Sequence, residues 1–132
     1  MDRPQLQVTS ITIGTDDPHG LAQFYRDLLG WRVTGDDPPD PDLGPGWAQL
    51  KPPSGEPGPT LNFEGERRFQ RPTWPSADGG QNATQHLDIW VQDLPAAMEW
   101  AVSQGAVLAD VQPQEDVRVL FDPSGHPFCL FR

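Results

Sequence analysis

Apolar and polar positions alternate from the start of the chain. In "LQVTSITIGT", Val, Ile and Thr recur with a period of two, which predicts a β-strand over about residues 7–14. The period then lengthens. Within "TDDPHGLAQFYRDLLGW", Leu21, Phe24, Tyr25, Leu28 and Leu29 fall on one helical face. Asp16 or Asp17 can cap that helix, Pro18 suits its first turn, and Gly30 stops it. "WRVTG" reads as a short strand, "DDPPDPDLGP" as a proline-rich loop, and "GWAQLKP" and "PTLNFEG" as two strands joined through the turn "PPSGEPG". The order is strand, helix, strand, strand, strand.

Residues 66–82 carry no period and many Pro, Gly and Asp residues, so they read as a connector. Beyond it the same order returns: "QHLDIWV" as strand, "DLPAAMEWAVSQG" as helix, then "AVLADV", "VRVLFD" and "FCLFR" as strands. Setting Ser10 over His86, an offset of 86 − 10 = 76, also sets Ile13 over Ile89, Asp17 over Asp93 and Phe24 over Trp100. The turn "PSGEP" at 53–57 returns as "PSGHP" at 123–127. Matches in strand, helix and turn together indicate an internal repeat. A unit of about 55 residues buries too little surface to stand alone, so the two units are expected to share a core. Module one covers about 5–65 and module two about 83–132. Trp100 and Phe24, at matching helix positions, are expected in that core.

Composition narrows the function classes. The chain has 132 residues, 36% hydrophobic and 21% charged, with Gly 13 and Pro 16, which fits one turn-rich globular domain. Nine basic residues against nineteen acidic ones give a formal charge of −10, and Lys51 is the one lysine. A nucleic-acid surface needs a basic stripe, so nucleic acid is excluded as a partner. No apolar run approaches the roughly 20 residues of a membrane helix, and the start lacks a signal-peptide pattern, so a cytoplasmic protein without membrane contact is expected. The single cysteine, Cys129, fits a reducing compartment. Phosphate-cradling, dinucleotide-binding and nucleophile-elbow motifs are absent.

The stretches "SITIGTDDPHGLAQFYRDLLGW" and "HLDIWVQDLPAAMEWAVSQGA…VRVLFDPSGHPFCLFR" resemble the two halves of the vicinal oxygen chelate superfamily, the group of glyoxalases, bleomycin-resistance proteins and extradiol dioxygenases. The resemblance covers nearly the whole chain outside its two proline-rich loops. It implies an α+β fold, a single glyoxalase-like domain of two tandem βαβββ modules, with curled mixed sheets enclosing a concave pocket and helices outside. It also implies a homodimer, since paired modules often complete their pockets across a two-fold axis.

Strand parity then selects the candidate site. Residues two apart share a face, so His86, Asp88 and Trp90 project together toward the pocket, while Leu87, Ile89 and Val91 project toward the helices. The matching polar set in module one is Ser10, Thr12 and Gly14. Metal-dependent members of the superfamily take His and Glu ligands from the first and last strands of each module. Carried over, those positions are Ser10, His86 and Cys129, with the fourth in "TLNFE" at Leu61, Asn62 or Glu64. Only His86 has the expected residue type. A divalent ion needs three or more ligands and Ser is a poor one, so no metal cofactor is expected. If an ion (Zn, Ni, Mn or Fe) is bound, the candidate ligands are His86, Cys129 and Glu64.

Two readings of each residue stand side by side. His86 is either a neutral pocket wall or a ligand or general base. Asp88 is either a solvated carboxylate or, if buried, a base. Cys129 reads as a small buried hydrophobe rather than a nucleophile. His19 and His126 are expected to be exposed, and Trp74 in the connector to form a lid or a subunit contact. The candidate ligand-binding residues are Trp47, Phe63, His86, Asp88 and Trp90. Two functions follow: a metal-free small-molecule binding protein of the bleomycin-resistance kind with an aromatic, acidic pocket, or a divalent-metal lyase, isomerase or dioxygenase. The lost ligand at Ser10 favours binding.

Overall fold

The computed structural model describes residues 1–132. Module one runs β1 (Ser10–Thr15), α1 (Pro18–Leu29), β2 (Arg32–Asp37), β3 (Trp47–Lys51) and β4 (Thr60–Gly65). Module two runs β5 (Leu87–Trp90), α2 (Leu94–Ser103), β6 (Val107–Leu108), β7 (Val117–Phe121) and β8 (Pro127–Phe131). Each module makes one four-stranded mixed sheet, in the orders β1-β4-β3-β2 and β5-β8-β7-β6, with β1 parallel to β4 and β5 parallel to β8. The repeat read from the sequence is thus a repeat of topology.

The caps behave as their residue types dictate. Asp17 accepts the amide of Gly20 at 3.0 Å and Asp93 that of Ala96 at 3.0 Å, so the helices start at equivalent places. Gly30 ends α1 at φ 69°, a conformation open to glycine. The echoed turns also correspond: Gly55 and Gly125 sit at φ 84° and 88° in the β3–β4 and β7–β8 connections. Differences lie at the edges. The first strand starts at Ser10 rather than residue 7, and β6 shrinks to two residues.

One face of each sheet packs inward. Ala48, Leu50, Leu61 and Phe63 of the first sheet and Leu120, Phe128 and Leu130 of the second join Leu21, Phe24 and Tyr25 of α1 in a single buried cluster. Phe24 and Tyr25 meet Phe128 at centroid distances of 6.0 and 6.2 Å, so α1 cements its own sheet to the other module's. Trp100 departs from the core position expected of it. Its ring is 50% exposed and its indole N–H donates to the Leu28 carbonyl at 3.1 Å, while the small Ala101 beside it takes the buried position.

A polar lock crosses the same boundary. The Tyr25 hydroxyl donates to Asp122 at 2.8 Å, and the other Asp122 oxygen accepts the amides of Ser124 and His126, both at 3.0 Å. Ser124 and Thr15 share a buried hydroxyl pair at 2.7 Å, and a His126 ring nitrogen reaches the Gly14 carbonyl at 2.7 Å. Burial holds the Asp122 carboxyl above the usual aspartate range, outweighing the nearby His126 and these hydrogen bonds. Burial first, then Asp122, pushes the Tyr25 phenol well above its ordinary value, so it stays a donor.

A raised folded-state pKa has a definite sign: the native state holds a proton more readily than the unfolded chain, so between the unfolded value and the raised one stability falls as pH rises. Thermal melts are expected to show this for the wild type and a flatter slope for Asp122→Asn. Asp122→Ala orphans three donors and is expected to cost about 3 kcal/mol, against about 1 kcal/mol for Asp122→Asn. Equal costs for the two variants would show that the carboxyl's hydrogen bonds do not hold the modules together.

Candidate functional site

The faces turned away from the core carry the chemistry. On the second sheet, Asp88 pairs with Cys129 and Cys129 with Val119 across three strands, and Trp90, Phe131 and Val117 form the next row. His86 precedes β5, and its Nε2 stands 3.2 Å from an Asp88 oxygen. Ligand atoms of His86, Asp88 and Cys129 all lie within 4.8 Å of one another. His86 and Asp88 are exposed and Cys129 half-buried. Burial pushes the Cys129 thiol above its ordinary range, and the charge and hydrogen bonding of Asp88 push it further. The thiol is therefore held in its protonated form at neutral pH, although Cys129 is half-buried rather than the fully buried residue expected of it.

The first sheet's open face is different. Its register sets Thr12 beside Asn62 and Asn62 beside Gln49. Asn62 is therefore the topological counterpart of Cys129, and the alternatives Leu61 and Glu64 are resolved against. A ladder of side chains crosses all four strands: Thr34 donates to Gln49 at 2.9 Å, Gln49 to Asn62 at 2.9 Å, and Asn62 to Thr12 at 3.4 Å. These groups satisfy one another. Trp47 lies at the end of this face, its ring over Gly35, where a side chain would collide with it.

Several expected site residues are relocated. Phe63 is 0% exposed and stacks on Tyr25 at 5.6 Å, because Leu61 and Phe63 alternate with Asn62 and belong to the helix-facing side. It is a core residue and not a pocket wall. Glu64 is exposed and stands outside the His86–Asp88–Cys129 group. Trp90 shares the open face with Asp88 and is 65% exposed, whereas Trp47 lies on the other sheet, so the two tryptophans do not line one wall. His126 is half-buried, edge-on to Phe69 at 5.6 Å, because its turn is drawn in by the Asp122 lock. Trp74 packs edge-on to Phe121 at 6.2 Å, so the connector covers one end of the second sheet's open face.

A cavity of about 860 Å³ lies between β1, the connector and residues 81–87. Its walls include Thr12, Gly14, Tyr25, Phe69, His86 and His126 together with amide side chains of the connector. Sequence reasoning missed it, since its walls come from a segment with no period. Only the density of Gln and Asn from Gln70 to Gln85 hinted at a polar wall there.

Residues 10–131 match the family model of the glyoxalase-like domain. The chain belongs to the glyoxalase-like domain family. Solved structures agree on the fold, that of the vicinal oxygen chelate superfamily. A glyoxalase family protein from Enterococcus faecalis superposes with a TM-score of 0.68 at 21% identity, covering 96% of this chain and 97% of that one. A variant of the fosfomycin resistance protein FosX from Listeria monocytogenes, complexed with Mn(II) and 1S,2S-dihydroxypropylphosphonic acid, gives 0.69 at 13% identity over 95% and 90%. TioX from Micromonospora sp. ML1 gives 0.60 at 20% identity over 96% and 98%. No curated protein sequence matches the chain. At these identities the likeness is one of fold, and no helix is long and apolar enough to cross a membrane.

In this glyoxalase-like domain the reactivity of the thiol reports on its surroundings. Alkylation of Cys129 by iodoacetamide is expected to rise only at a pH above that of free cysteine, and Asp88→Asn is expected to move the profile downward by removing the neighbouring negative charge. An unchanged profile in Asp88→Asn would mean that burial alone holds the thiol protonated.

Proposed function

We propose that this glyoxalase-like protein binds a small molecule against the open face of its second sheet, with His86 and Asp88 as polar contacts and Trp90 as an apolar wall. The observation that carries the reading is the convergence of His86, Asp88 and Cys129 on one face beside the Trp90–Phe131–Val117 row, where polar groups meet unpaired apolar surface. An open face gives a ligand one wall. A second copy of the chain, laying the Thr12–Asn62–Gln49–Thr34 face of its first sheet over this row, would supply the other, so a homodimer belongs to the proposal. The formal charge of −10 favours neutral or cationic ligands. The single cysteine, placed in this site as a thiol, suits the reducing cytoplasm.

A second reading is favoured by the same three donors. Imidazole, carboxylate and thiol within 4.8 Å are a fitting set for a borderline-soft ion such as zinc, and a poorer one for Mn(II), which prefers oxygen ligands. His86, Asp88 and Cys129 would hold the ion in place of the superfamily's His and Glu pattern, and Ser10 lies on the other sheet, outside this group. A bound ion would supply Lewis acidity toward a ligand oxygen, the chemistry of a lyase, isomerase or dioxygenase. The chain's own part is to orient His86 through Asp88 and to release the Cys129 proton as the ion binds, which makes affinity rise with pH.

Metal content separates the two readings. Protein purified without an affinity tag and dialysed against zinc is expected to retain no ion on the binding reading. Retention of about one zinc per chain, lost in His86→Ala and Cys129→Ser, would replace it with the metal-dependent one.

Because Trp90 is exposed, Trp90→Ala is expected to leave the melting temperature within a few degrees of the wild type. Light scattering is expected to give twice the 14.6 kDa chain mass, and ligands found by thermal-shift screening are expected to lose at least tenfold in affinity in the variant. Undiminished affinity would remove Trp90 from the site, and a monomer that binds normally would remove the partner wall.

A further inference from the structure

We propose that the cavity between β1, the connector and residues 81–87 is a separate binding site, and that it takes a zwitterionic ligand with an α-amino-acid head and an amide-bearing tail. Its volume of about 860 Å³ is that of a small-molecule site. Asp88, Cys129 and Trp90, which define the open-face cluster, take no part in its walls; His86 alone adjoins both.

The charges in its wall decide the head group. Glu66 and Arg68 both line the cavity, yet they form no ion pair: Glu66 uses one oxygen to accept the Arg68 backbone amide at 3.2 Å, and the Arg68 guanidinium has no partner in the chain. The other two arginines of the connector are placed elsewhere. Arg71 donates to the Pro123 carbonyl at 3.0 Å, and Arg67 lies beside Gly44 in a different groove. Glu66, which also borders the groove of Arg67, and Arg68 thus offer this cavity one carboxylate and one guanidinium that do not pair with each other, a match for an ammonium and a carboxylate carried on the same carbon. A plain anion would meet Glu66 and the field of a chain of formal charge −10, and a plain cation would meet Arg68; a zwitterion escapes both.

Amides decide the tail. Gln70, Gln81 and Gln85 line the same cavity and make no side-chain hydrogen bond within the chain, so each offers a donor pair and an acceptor to a ligand amide. The wall is also held in place. The Glu66 amide donates to the Thr15 carbonyl at 2.8 Å, Phe69 packs on His126, and Trp74 packs on Phe121, which spares the ligand the cost of ordering the connector.

The test is an NMR titration of ¹⁵N-labelled protein with L-glutamine, a small molecule with both features, beside N-acetyl-L-glutamine and L-glutamine carboxamide, which lack one charge each. Saturable shifts are expected at Glu66, Arg68, Gln81 and Gln85, with each capped form at least tenfold weaker. Arg68→Ala is expected to erase the preference for glutamine over its carboxamide, and Glu66→Gln the preference over the acetylated form. Both positions are exposed, so the variants keep the fold, which their spectra report directly. Cys129→Ser is expected to change nothing. No shift in these residues, shifts confined to Asp88 and Cys129, or equal binding of the capped forms would each overturn the proposal, while leaving a ligand at the open face untouched.

Discussion

The fold depends on a hydrogen bond made where water cannot compete for it, between Tyr25 of α1 and Asp122 at the end of β7. A carboxylate this deep is costly, and the cost is visible in its raised pKa. It is tolerated because one side chain satisfies a phenol and two amides, and so fixes the turn 123–126 against β1. Packing of Phe24 and Tyr25 on Phe128 sets how closely the modules approach, while the Asp122 network sets their register. Apolar contacts slide with little penalty; a satisfied polar triad has one arrangement. The part of the cavity wall made by Gly14, Tyr25 and His126 is held by that lock.

The repeat makes the two modules alike in backbone and unlike in use. The turn at 53–57 is largely exposed, whereas its echo at 123–127 is drawn into the junction. One substitution of surroundings explains the difference: Pro52 precedes the first turn, where Asp122 precedes the second, and only the latter can accept the turn's amides. The open faces diverge in the same way. Module one's polar side chains form the neutral Thr34–Gln49–Asn62–Thr12 ladder across four strands, and module two's form a compact group of imidazole, carboxylate and thiol at His86, Asp88 and Cys129.

Element order, helix caps, the repeat and the sharing of a face by His86, Asp88 and Trp90 were legible in the sequence, because each follows from a local period or a capping residue. Phe63 shows the limit. Its parity with Leu61 assigns it to the core, but an aromatic residue invites a ligand-wall reading until the register against β1 is known. Trp100 fails for another reason: the repeat predicts its position on α2 correctly, yet the neighbouring Ala101 leaves no space that requires the larger ring. The connector was legible as a loop and no further. Its contacts with Pro123, His126 and Phe121 are made by single side chains across more than 45 residues, and no local period encodes such contacts.

The thiol at position 129 ties the two open questions of the second sheet together. The superfamily pattern calls for a carboxylate there, which would be a ready acceptor and a ready hard-metal ligand. A thiol held protonated by burial and by Asp88 is neither, until something removes the proton. Asp88 cannot be that agent, since its own charge raises the thiol pKa. A soft cation would, because binding to sulfur offsets the cost of deprotonation, and Asp88 would then change from the thiol's hydrogen-bond acceptor into a co-ligand. The same three side chains therefore describe a negatively charged face without an ion and, were a divalent ion held there, a centre whose charges balance.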